Sequence, residues 1–176
     1  MADKHTGPMN MVDKAVDKIG GLFGKAKAGT ASGADDFVEN AAIGNRYELE
    51  AADIAMRRTQ DARVREFAQA MKTDHEAAKA KLQDTLSTHP EAPDLPGSLD
   101  ARRRSMLDHL EQAPDEEFDA RYAEQQDLAH QETVKLFETY VEDGDNAGLQ
   151  RFAKQMLPTL QQHLSQAKDL HEQTKH

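Results

Sequence analysis

The chain has 176 residues, 38% of them hydrophobic and 31% charged, with a formal charge of −10 and no cysteine. The missing thiols exclude disulfides, thiolate metal sites and cysteine nucleophiles. The acidic balance argues against nucleic acid, because phosphate binding needs a concentrated basic face.

Residues 1–34 differ from the rest and read as a separate tail, where Gly20, Gly21, Gly24, Gly29 and Gly33 alone are half of the ten glycines and Gly7 adds a sixth. Met9, Val12, Val16, Ile19 and Phe23 recur at helical spacing, with Lys14, Lys18, Lys25 and Lys27 nearby. One reading is an amphipathic helix that makes a peripheral membrane or protein contact. The other is a flexible, frayed leader, since short isolated helices are marginal. The segment lacks the continuous apolar run of a signal peptide, and no window approaches the ~18 apolar residues of a membrane span. A cytoplasmic protein is the expectation.

From residue 35 to residue 176 the helical period dominates. Phe37, Ala41, Gly44, Glu48, Ala51 and Ala55 form one stripe, and Val64, Ala68, Met71, His75, Ala78, Leu82 and Leu86 a second. Ala55 and Val64 are 64 − 55 = 9 steps apart. At ~100° per step they would lie on opposite faces of one straight helix. The chain therefore has to turn between them, with Thr59 and Asp61 as caps. HPEAPDLPGS, residues 89–98, is an extended linker, and residues 98–112 read as a short helix. Its Arg102, Arg103 and Arg104 are expected on a solvated face. Pro114, followed by Asp115, Glu116 and Glu117, suits the first turn of a third long helix. That helix carries Phe118, Tyr122, Ala123, Gln126, His130, Val134, Phe137 and Val141 on one stripe. DGDNAG, residues 143–148, stops it, and a fourth helix follows with Leu149, Phe152, Ala153, Met156, Leu160, His163, Ala167 and Leu170. Four long helices, with a long crossover carrying a short extra helix between the second and third, make an all-α four-helix bundle of ferritin-like type.

Each stripe carries one polar intruder: Glu48, His75, His130 and His163. At ~1.5 Å per residue, Glu48 and His75 both lie roughly 20 Å from the first turn. His130 and His163 lie at nearly matching distances from the second turn. Four intruders at one level point to a buried polar layer, since a buried carboxylate is tolerated only when paired. Two readings stay open. Three imidazoles and one carboxylate suit a single divalent metal such as zinc, iron or manganese, with Asp74, Asp127 and Glu50 as outer contacts. Alternatively, the layer is a hydrogen-bonded network that fixes the bundle's register. A dinuclear iron site needs a Glu from each of two helices and Glu-x-x-His from each of the other two. Lys72 and Leu160 stand where two of those acids belong, which argues against a di-iron enzyme. Pro158, five residues before His163, is expected to kink the fourth helix. That kink either aims the His163 ring inward or marks a junction of two separate helices.

FVENAAIGNRYELEAADIA, FAQAMKTDHEAAKAKL, EEFDARYAEQQDLAHQETVKLFE and LQRFAKQMLPTLQQHLSQA together resemble a bacterial ferritin-like family with a domain of unknown function. Its members are often described as outer-membrane or exported proteins. The resemblance covers about residues 35–172 and singles out Glu48, Glu50, Asp74, His75, His130, Pro158 and His163. It implies a ferritin-like bundle with no established activity, a stress-protective role by family type, and periplasmic residence as the alternative location. The expected function is a non-catalytic bundle whose mid-bundle layer binds one metal ion or none. The competing expectation is a structural or interaction module that docks through residues 1–34. Assembly into a homo-oligomer is compatible with either.

Overall fold

The computed structural model describes residues 13, 15–18, 20, 28–30, 32–88 and 93–175, and every regular element among them is an α-helix. α1 (Ala34–Arg58) and α2 (Ala62–Ser87) form one hairpin. α3 (Ala101–Glu111) lies in the crossover, and α4 (Asp115–Asp143) and α5 (Ala147–Thr174) form the second hairpin. α1 packs on α2 and α4, and α5 packs on α4 and α2, so the four long helices make a bundle. The short α3 lies against α1 and α4.

The helix ends follow from local chemistry. The Asp61 side chain accepts a hydrogen bond from the Arg63 backbone N–H and starts α2. Asn146 does the same for Gly148 and Leu149 at the start of α5. Asp115, Glu116 and Glu117 occupy the first turn of α4, where the helix dipole favours negative charge. Gly144 follows the last turn of α4 in extended backbone, at a position where a Cβ would stand 2.5 Å from the Tyr140 carbonyl oxygen and 2.8 Å from its ring, so only glycine fits. The crossover helix starts at Ala101, later than residue 98. Asp100 caps it by accepting from the Arg103 N–H at 2.7 Å, which leaves Leu99 buried but outside the helix.

The core divides in two. One apolar cluster joins Ala51 and Ala55 of α1, Val64 and Met71 of α2, Phe118 and Tyr122 of α4, and Ala167 and Leu170 of α5. The other joins Phe37 and Ala41, Leu82, Val134 and Phe137, and Leu149, Phe152 and Leu160. The start of α4 thus sits at the same end as the start of α2. The crossover carries the chain along the whole bundle and makes α2 and α4 parallel. The polar layer falls between the two clusters: His75 between Met71 and Leu82, His130 between Ala123 and Val134, and His163 between Leu160 and Ala167.

Two expectations change. Arg102 and Arg103 do not line a solvated face, although Arg104 is half exposed. Arg103 is 6% exposed, and its Nη2 lies 2.6 Å from Glu132 Oε1. Arg102 Nη2 lies 2.6 Å from the other oxygen of the same carboxylate. The cause is the way α3 lies across α1 and α4: three successive residues at ~100° steps cannot all face water on such a helix. Likewise, α5 is one continuous helix through Pro158, not two helices meeting there. Pro158 is exposed, so its replacement meets little packing. Pro158→Ala restores a backbone donor and is expected to raise stability by up to about 3 kcal/mol in urea unfolding. His163 ring spectra of the same variant report whether the proline also sets that side chain.

In the tail, Met9, Val12, Lys14, Ile19, Phe23, Lys25 and Lys27 lie outside the described residues. Residues 15–18 are helical, with Val16 and Lys18 exposed and Asp17 buried. Asp17 Oδ1 lies 2.8 Å from His109 Nδ1 on α3, and its Oδ2 accepts from the Gln125 amide at 2.8 Å. Among the described residues no helix is long and apolar enough to cross a membrane.

Candidate functional site

The bundle brings His75, His130 and His163 together in its centre. One ligand nitrogen from each lies within 4.8 Å of the other two. The ring centroids are 5.5–5.8 Å apart. The residues are 4%, 1% and 3% exposed, and Glu48 is 2% exposed.

Each ring is held from one side. His75 Nδ1 lies 2.9 Å from Asn45 Oδ1 on α1. His130 Nδ1 lies 2.9 Å from the Gln126 carbonyl oxygen, one turn back on its own helix. His163 Nε2 lies 2.8 Å from Asp74 Oδ2 on α2. All three partners are acceptors, so each held nitrogen carries the proton and the other keeps its lone pair. Those other nitrogens, His75 Nε2, His130 Nε2 and His163 Nδ1, are buried and have no hydrogen-bond partner. Each ring of this buried cluster therefore keeps one nitrogen lone pair to which no donor is bonded.

Glu48 adds negative capacity beside them. Both its oxygens are buried without a hydrogen-bond partner. Oε1 lies 3.9 Å from His130 Nδ1, the nitrogen already engaged by Gln126. Burial pushes the Glu48 carboxyl up to about 7, against the pull of the Gln126 amide, His163 and Arg103. The same burial lowers the histidines. His130 falls to about 4. His75 falls well below its ordinary value, and its two neighbouring imidazoles lower it further. His163 is also lowered, although the Asp74 carboxylate opposes the shift. At neutral pH the rings are uncharged. The Gln126 amide pulls on the Glu48 carboxyl without forming a well-aligned hydrogen bond, and the Tyr122 hydroxyl is buried without a partner.

The remaining sequence candidates take separate places. Asp74 holds His163 directly. Asp127 turns to His171 Nδ1 at 3.3 Å and to Gln131 at 2.8 Å rather than to His130. Glu50 pairs at the surface with Arg46 at 2.8 Å. Tyr47 donates to Gln125 Oε1 at 2.9 Å, not to the layer. Asn45 is the contact that the sequence reading missed. It lies one turn before Glu48, on the side of α1 that meets α2, and only the packing angle of that hairpin reveals its role.

The sequence profile described as "Domain of unknown function (DUF4142)" matches residues 23–170. No curated protein and no solved structure matches the chain.

Proposed function

The chain belongs to the DUF4142 family, a domain of unknown function, and from that premise we propose that its bundle holds a single divalent metal ion on His75, His130 and His163. The observation that carries this reading is the set of three unpartnered imidazole nitrogens in a water-poor core, each ring anchored from behind by an acceptor. Such anchoring orients a ligating histidine and raises its basicity. A purely hydrogen-bonded layer would need a donor engaged by each of those nitrogens, and none is bonded to them. A cation satisfies all three lone pairs at once. Three nitrogens favour zinc or iron(II) over manganese, which prefers oxygen donors. Glu48 supplies a charge near the ion, or a fourth ligand if its side chain turns.

The same proposal makes the fold a ferritin-like bundle with one long crossover and a mononuclear centre. Glu48 is a fully buried carboxylate beside the rings, where it offsets part of a divalent ion's charge. Binding and retention of the ion, not turnover, is the role assigned here.

Titration of the metal-free protein with zinc, followed calorimetrically, is expected to give one site per chain. Asp74→Ala, which frees the His163 ring without removing a ligand, is expected to weaken it about 10–100-fold. His75→Ala combined with His163→Ala is expected to abolish it. Substoichiometric metal in the purified protein, unchanged by that double replacement, would falsify the assignment.

A further inference from the structure

A cavity of about 50 Å³ adjoins the imidazole cluster within the second apolar cluster, walled by Leu82, Phe137, Phe152 and Leu160. It exists because Ala41 of α1 and Ala78 of α2, both at its wall, occupy stripe positions where larger side chains would fill it. Bundle interiors are normally close-packed, and an apolar void forfeits contacts on every side. His75 forms part of the same wall, almost wholly buried and with Nε2 unpartnered. Asn45, Lys79 and Leu95 border both this cavity and an outer groove of about 470 Å³ between α1 and α2, under crossover residues Leu95 and Pro96. Void and groove are therefore neighbours across three side chains, and the groove gives the void a way out.

We propose that this cavity is a binding chamber for a small, uncharged, apolar molecule, about the size of a diatomic gas, held against the His75 imidazole. Size and wall chemistry set the class. The walls are mostly apolar, with Asn45, Thr133 and His75 as the polar members, and offer no buried charge to pair with an ion; an apolar lining favours an apolar guest. The cationic Lys79 stands only at the mouth, where it is exposed. Access of the guest to a bound metal rests on the reading above; the chamber itself does not.

Xenon is the probe, used on the full-length, metal-free protein with the methionine methyl groups labelled for NMR. Met156, at the cavity wall, is expected to shift saturably with xenon pressure, while Met71 and Met106, away from it, stay in place. Ala78→Leu fills the space and is expected to weaken xenon binding at least tenfold; Ala41→Leu fills it from the opposite helix if the first variant does not fold. A Met156 shift that never saturates, or that persists undiminished in the filled variant, overturns the chamber. Because no metal is present, loss of ion binding elsewhere leaves this result standing.

Discussion

Glu132→Leu is expected to lower the unfolding free energy by about 3–5 kcal/mol, among the largest single effects in the molecule. Glu132 is 6% exposed on α4 and receives one guanidinium on each carboxylate oxygen, from Arg102 and Arg103. Removing the acid strands the buried Arg103 charge, which keeps only Asp100, an acid on its own segment, at 2.5 Å. Arg102 is less committed: its side chain is 27% exposed and can extend to water. The double variant Arg103→Met with Glu132→Leu removes both buried charges together. It should recover most of the loss, because well-packed apolar pairs often match or exceed a buried ion pair. Urea unfolding of the three proteins decides the point. A single-variant cost below about 1 kcal/mol would mean that the crossover helix is held by Met106, Leu107 and Leu110 packing alone.

That ion pair also marks where the sequence stops being legible. The stripes on the four long helices were readable because each helix has one core-facing side and a period that shows it. Glu48, His75, His130 and His163 could be placed at one depth because depth depends only on rise per residue and distance from a turn. The crossover helix offers no such ruler. Its rotation depends on where a linker lays it across α1 and α4, so three arginines in a row looked like a wet face. The contacts behind the imidazoles divide the same way. Asp74 was readable as a neighbour of His75, yet it holds His163 on the adjacent helix. Asp127 turned to His171 because the facing turn of α5 brings that ring closer than its own helix brings His130. Asn45 and the Gln126 carbonyl needed the packing angle and the side-chain rotamers, which no spacing rule supplies.

Glu48→Gln is expected to stabilise the metal-free protein by about 3 kcal/mol at pH 8 while changing it little at pH 4.5. The native Glu48 carboxyl holds its proton up to about pH 7, against 4.5 for a solvated glutamate in the unfolded chain. A raised acid contributes stability that is complete below pH 4.5 and disappears as pH rises through 7, because the ionised form must then be buried. Glutamine mimics the protonated acid and has no such loss. The histidines act in the opposite sense. His130 is depressed from 6.5 to about 4, and His75 and His163 are also lowered. Their contribution is complete above pH 6.5 and is lost as pH falls toward 4, where the unfolded chain takes protons that the folded rings refuse. Between pH 6.5 and 4.5 Glu48 offsets about one histidine of the three, so the wild-type protein loses stability toward acid, and Glu48→Gln, lacking the offset, loses it more steeply. Urea unfolding of both proteins across pH 4.5–8 without metal tests this directly. Parallel curves would mean that the Glu48 carboxylate is already compensated in the core, and with it would go the case that the layer lacks a cation.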